Sequence, residues 1–157
     1  MHKVIKMLRE TPNIYNTWRL SNPDVLIDLS NADLSGLNLS GQYLMNINFK
    51  NANLSNTVCI STVFCGSNLE NASFTGANLS NTCFGPLDDM PLILMHNKLG
   101  YYLTKSAVLK NVNFEEANLY LANCCECNMD GAILVDAKTE QANLSKAYWG
   151  GVILSAY

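Results

Sequence analysis

"NASFTGANLSNTCF", residues 71–84, sets Phe74, Leu79 and Phe84 five residues apart, with Ala72, Ala77 and Thr82 each two positions earlier. On an α-helix, five residues advance about 500°, so such a comb would wind round every face. On a flat strand five is odd, and successive large side chains would point to opposite sides. One shared environment for all of them requires the chain to turn a corner every five residues.

The comb extends well beyond that stretch. Stepping by five from Leu29 to Phe84 meets twelve positions, of which only Cys59 is neither Leu nor Phe. Stepping again from Leu109 to Leu154 meets ten more, and all five phenylalanines of the chain lie on the comb. The second residue after each centre reads Asn31, Gly36, Gly41, Asn46, Asn51, Asn56, Ser61, Gly66, Asn71, Gly76 and Asn81. Gly and Asn accept the positive φ that the third position of a type II turn demands. Each unit is therefore expected to be a short extended segment followed by a turn of about 90°. Four units would close a coil of twenty residues, and coils would stack about 4.8 Å apart through parallel ladders, giving a rod of roughly 26 Å. Small residues two before the centre, such as Ala107, Ala117, Ala122 and Ala132, suit a narrow interior, with the larger Leu37 and Gln42 near the start.

Units such as "NADLS", "NANLS", "GANLS" and "QANLS" resemble the pentapeptide-repeat family over residues 27–84 and 107–154. That resemblance implies an all-β fold, a right-handed quadrilateral β-helix, with a short N-terminal α-helical cap and one internal loop excursion. The stretch "NTWRLSNPDVLIDLS" is also similar to the leader before many stand-alone bacterial members. Residues 1–157 are read as one domain: cap 1–26, coils 27–84, irregular segment 85–107 and coils 108–157.

Three stretches depart from the repeat. In "TPNIYNTWRLSNPD", Thr11 is a candidate N-cap, Pro12 the first helical residue and Pro23 a stop, with Ile14, Tyr15 and Trp18 set against the open coil end. A coil end exposes unpaired edges, so a cap is needed. In 85–107 the spacing from Phe84 to Leu109 keeps the five-residue phase, which fits either a looped excursion or a degenerate coil. The excursion is the favoured reading, because Asp89 would otherwise be a buried carboxylate. The final "YWGGVILSAY" has no polar cap, and Trp149 on a Leu/Phe position implies a widened end where a second copy could pair.

The chain has 157 residues, a net charge of −3 and 15% charged residues. Residues 1–27 carry four bases against two acids and the rest six bases against eleven acids, which argues against a basic nucleic-acid surface. No apolar run is long enough to span a bilayer, and the first ten residues contain charges, unlike a secretory signal. With six cysteines the expectation is a reducing cytoplasm and free thiols. His2 and His96 are the only histidines, so no catalytic triad is legible, and "CCEC" at 124–127 lacks the partners of a zinc site. Neither catalysis nor a cofactor, metal or small-molecule substrate is expected.

What remains is binding to another protein. The irregular segment offers Leu92, Ile93, Met95, His96, Tyr101 and Tyr102, and the densest acidic spot is Glu115, Glu116 and Asp136. The resemblance also implies an alternative, since some members mimic duplex DNA and bind DNA gyrase or topoisomerase IV. Outward Asn outnumbers Asp ahead of the centres, and Lys50, Glu70, Lys110 and Asp130 share one corner, so a continuous acidic face is not expected.

Overall fold

A computed structural model describes residues 2–87 and 97–154. Two helices come first, α1 (His2–Glu10) and α2 (Pro12–Ser21), followed by stacked coils. Strands β1 (Ile27–Asp28) and β2 (Ile47–Asn48) pair in parallel, twenty residues apart. The other rungs are single parallel bridges, such as Asp33↔Asn53, Asn38↔Val58 and Tyr43↔Val63. Each arm is too short to hold a longer strand before it turns. A coil thus contains four five-residue units.

The corners obey the residue grammar and go beyond it. Among the described residues, every positive φ falls two positions after a comb residue, including Glu116, Leu121, Glu126, Gln141 and Lys146. A non-glycine left-handed residue costs about 1–2 kcal/mol, so the stacked backbone overrides local preference there. Within a corner the Ala32 N–H donates to the Leu29 carbonyl at 3.1 Å, while the Leu29 and Asn31 N–H groups donate to Asn48 and Lys50 of the next coil. One corner carries a ladder of amides, each Nδ2 donating to the Oδ1 above it, from Asn111 to Asn71, Asn51 and Asn31. Gly131 ends that ladder, because the Asn111 side chain fills the space its Cβ would need.

The outward Asn or Asp before each centre has a local task. Its Oδ1 accepts from the backbone N–H two residues on, as in Asn38 from Ser40, Asn53 from Ser55 and Asn143 from Ser145. Asp33 does the same with the Ser35 hydroxyl at 2.7 Å and its N–H at 3.1 Å, which hold its carboxyl below the ordinary carboxylate value. A depressed folded-state value means stabilisation present above about pH 4 and lost as pH falls through the folded value. Asp33→Asn keeps the acceptor and removes the titration. Its melting temperature at pH 7 is expected within about 2 °C of the parent, while the two curves diverge below pH 4. Parallel acid-limb melts check this; superimposable acid limbs would refute it.

The interior is filled. Leu29, Leu34, Leu39, Leu44, Phe49, Leu54, Cys59, Phe64 and their successors to Met129 are fully buried. Phe64 and Phe84 stack at 5.4 Å, and Phe74 and Phe114 at 5.7 Å. Inward hydroxyls are satisfied by centre carbonyls: Thr62 donates to Leu39 at 2.8 Å and Thr82 to Cys59 at 2.6 Å.

The stacking of Phe74 on Phe114, forty residues apart, marks the excursion. From Asn68↔Val108 to Cys83↔Asn123 the bridges are forty apart, then revert to twenty at Val108↔Asn128. The Ala107 N–H closes a corner on the Phe84 carbonyl at 2.7 Å, as Ala77 does on Phe74. Among the described residues, 85–87 and 97–106 add no bridge to the stack.

The cap meets the first coil with side-chain donors. Arg9 donates to the Asp33 carbonyl, Asn16 to Gly41, Tyr15 to Tyr43 and Arg19 to Met45. Val4, Leu8 and Tyr15 are buried, and Trp18 packs half-buried on the core. Two expectations are corrected. Ile14 is 49% exposed, because the helical register that buries Tyr15 and Trp18 turns it outward. Thr11 precedes α2 but caps nothing with its side chain; its hydroxyl donates back to the Met7 carbonyl at 3.5 Å.

Candidate functional site

The returning arm of the excursion forms a 3-10 helix, Lys98–Thr104, started by the Asn97 side chain accepting from the Leu99 N–H. It lies against the coil wall rather than trailing away. Leu99 and Leu103 are buried in a second apolar cluster with Met45, Cys65 and Cys83, flanked by Leu20, Tyr43, Val63, Leu87 and Tyr102. Its N-terminal end reaches the cap. Asn97 Nδ2 donates to the Leu20 carbonyl at 2.9 Å, and Lys98 Nζ meets both Asp24 carboxylate oxygens at 2.8 and 2.9 Å.

Between cap linker, first coils and helix runs a shallow groove of about 430 Å³, lined by Pro23, Asp24, Leu26, Asn46, Lys98, Tyr101 and Tyr102. A second depression, sharing Leu26 and Asn46, continues it along Ile27, Ile47 and Asn68. Leu26 is 86% exposed and Tyr101 63% exposed. The Tyr101 and Tyr102 rings meet edge to face at 5.5 Å, and Lys105 Nζ stands 4.9 Å from the Tyr101 centroid. Exposed apolar and aromatic surface beside one ion pair suits a protein partner better than a small polar ligand.

Of the sequence-predicted residues, Tyr101 and Tyr102 therefore lie in this groove. Leu92, Ile93, Met95 and His96 lie outside the described residues. Glu116 and Asp136 are exposed and occupy one corner of neighbouring coils, with Glu115 half-buried beside them. That corner shares its column with Gly36 and Asn56, whereas the excursion leaves from the column of Asn46 and Gly66. Two units of a four-unit coil separate the columns, so the structure sets the acidic spot and the tyrosines on opposite sides of the rod. Sequence reasoning passed over Leu26, Asp24 and Asn46. Leu26 carried a signal, being a large apolar residue two positions after 24, where the comb wants Gly or Asn.

The charged corner is mixed. Lys50 Nζ pairs with Glu70 at 2.9 Å, and that hydrogen bond, with the Lys50 and Lys110 charges, holds the Glu70 carboxyl below its ordinary value. Lys146 pairs with Glu126 at 3.1 Å. Burial pushes the inward Cys59 and Cys127 thiols up to about 12 and the Cys124 thiol well above its ordinary value. Such thiols act as small apolar filler. Among the described residues no group of three or more His, Cys, Asp or Glu is placed to hold a metal ion, and no helix is long and apolar enough to cross a membrane.

A family model described as "Pentapeptide repeats" matches residues 27–58, 43–81 and 107–145, in eight copies overall. None of the curated proteins compared matches the chain. Among solved structures, HetL, a pentapeptide repeat protein involved in heterocyst differentiation regulation from the cyanobacterium Nostoc sp. strain PCC 7120, is 21% identical. That likeness covers 83% of this chain and 54% of HetL, at a TM-score of 0.38. Rfr23 from the cyanobacterium Cyanothece 51142 is 20% identical over 81% of this chain and 63% of its own, at 0.29. QnrB1, a plasmid-mediated fluoroquinolone resistance protein, is 17% identical over 83% and 84%, at 0.35. The chain spans about half the length of HetL.

Proposed function

This chain belongs to the pentapeptide-repeat family, and from that premise we propose that it works without catalysis, as a rigid scaffold that binds another protein. The observation that carries this reading is the contrast between interior and exterior. The tube is packed solid with buried Leu and Phe, while Leu26, Lys98, Tyr101 and Tyr102 gather at one groove where the coil has no use for them. The coil itself is read as a right-handed quadrilateral β-helix, in keeping with the twenty-residue register and a positive φ at each corner. Cap, coils and excursion are read as one folding unit, at work in a bacterial cytoplasm. The exposed Trp149 and Leu154, lining a cavity of about 380 Å³ with Leu134 and Leu144, support pairing of two copies through the C-terminal coil.

Excision tests the groove. Removing residues 86–105, twenty in all, joins Phe84-Gly85 to Ser106-Ala107-Val108-Leu109. The product reads "FGSAVL", in phase with "FTGANL" of residues 74–79. The shortened chain is expected to keep its β-rich circular dichroism and lose at least about 90% of partner recovery in a pull-down, since losing central anchors commonly costs tenfold or more in affinity. Unchanged recovery by a folded, shortened chain would overturn the assignment. The gyrase-binding alternative rests on the Glu116–Asp136 corner, but lysines interleave with acids elsewhere on the rod. No effect on gyrase supercoiling at micromolar protein is the expected result; inhibition or drug protection would favour the alternative.

A further inference from the structure

Three buried cysteines, Cys59, Cys124 and Cys127, sit on inward positions of the tube, where a small apolar side chain is what the repeat requires. Cys65 and Cys83 do not. Cys65 follows a centre and Cys83 precedes one, positions on the outer side of the tube that most often carry Ser or Asn; in these two columns they join Met45, Tyr43 and Val63 in the apolar cluster that also holds Leu99 and Leu103. They sit on adjacent coils, joined by the Val63↔Cys83 bridge, and their Sγ atoms lie 3.2 Å apart. Each Sγ also stands 3.1 Å from the Gly85 carbonyl oxygen. Both thiols are buried in the cluster to which the 98–104 helix contributes Leu99 and Leu103.

We propose that Cys65 and Cys83 form a redox modification site that closes to an intramolecular disulfide, with a small organic disulfide of the glutathione type as oxidant and the 98–104 helix as its cover. The thiolate of Cys83, the nearer to solvent, attacks one sulfur of the oxidant, expelling one thiolate and forming a mixed disulfide. Cys65 then attacks the Cys83 sulfur, expelling the second. Both protein thiol protons end on the two released thiols, and the two electrons reduce the oxidant's S–S bond. Closure to a bond of about 2.0 Å moves the sulfurs little more than 1 Å from where they stand.

The cover decides when this happens. The Cys83 thiol hydrogen-bonded to it, and then burial, push the Cys65 thiol well above its ordinary value, so while it is covered Cys65 is a poor nucleophile for the closing step. The mixed-disulfide step also needs room that Leu99 and Leu103 occupy. The helix is held partly by the exposed Lys98–Asp24 pair and the Asn97–Leu20 bond, which contribute little individually. Lifting it admits the oxidant, so oxidation reports on the same segment that presents Tyr101 and Tyr102. The site does not depend on the scaffold reading.

The test treats the folded full chain with excess oxidised glutathione, quenches samples with an alkylating agent and weighs intact protein and peptides. Cleavage after Phe64 and Glu70 separates Cys59, Cys65 and Cys83. The expected result is that six alkylatable thiols fall to four, with one cross-linked peptide joining Cys65 to Cys83. Leu99→Ala is expected to accelerate the loss about tenfold, the factor a truncated apolar contact makes in a local opening equilibrium. Lys98→Ala, which releases only the exposed ion pair, gives a smaller acceleration in a chain whose fold is not at risk. A cross-link joining other cysteines would overturn the proposal. So would six thiols persisting in the parent and both variants under conditions that oxidise the urea-unfolded chain.

Discussion

Phe64→Ala is expected to cost about 3–5 kcal/mol and to lower the melting temperature by about 10 °C or more. Phe64 meets three other rings in the core, edge to face with Phe49 at 5.6 Å and Phe74 at 5.7 Å and stacked on Phe84. In a layered globular core, neighbours from several elements relax into a void. Here the ring's neighbours are held by the coils above and below, whose backbone spacing is fixed near 4.8 Å. Little collapse is available, so most of the cavity persists. Phe64→Leu keeps the column filled with the comb's other residue and is expected to cost less than about 1.5 kcal/mol. Thermal melts followed by circular dichroism decide it. A drop under about 3 °C for the alanine variant would mean that the column does not carry the stability assigned to it.

That column was readable from spacing because the physics acting on it is local and periodic. A corner every five residues, a small residue two before each centre and a left-handed residue two after it leave marks in every unit. The structure extends the third rule to Glu116, Leu121, Gln141 and Lys146, where no residue type announced it. Their conformation is imposed by hydrogen bonds from neighbouring coils. The excursion was less legible for the opposite reason. Its length equals one coil, so Phe84 and Leu109 stay in phase whether the chain loops out or stacks; only the pairing of Asn68 with Val108 separates the two. Its landing place could not be counted from the comb at all. The contacts of Asn97 with Leu20 and of Lys98 with Asp24 span more than seventy residues and follow no period. The groove's membership was hidden with them. The outward asparagines show a subtler limit: their spacing was plain, but their side chains bind their own corners, which leaves less of that face to read a partner.

Arg19→Met is expected to destabilise the chain by about 2–4 kcal/mol, with the loss concentrated at the cap. Arg19 is fully buried, and among the described residues no carboxylate pairs with it. Its guanidinium instead donates to three backbone carbonyls, Asn22 at 3.2 Å and Val25 at 2.9 Å from one nitrogen and Met45 at 3.1 Å from the other, while Nε has no partner among the described residues. Two effects oppose each other on substitution. Removing a buried charge recovers a desolvation penalty of several kcal/mol in the ordinary case, and burial does hold this guanidinium below its usual value. Against that, the Val25 and Met45 carbonyls lose the donor Arg19 supplies, at about 1–3 kcal/mol each, and the Asn22 carbonyl keeps only the Val25 N–H at 3.3 Å, at the place where linker, α2 and first coil meet. The guanidinium is weakly hydrated to begin with, which shrinks the recovered penalty, so the carbonyls are expected to win. Arg19→Lys separates the terms, since it keeps the charge but offers a point donor in place of a planar fork; it should fall between parent and Arg19→Met. Hydrogen exchange should quicken first at the Tyr43 amide, which Asn16 of the same helix holds at 2.8 Å. An Arg19→Met chain as stable as the parent would show that desolvation dominates and that apolar packing alone seats the cap.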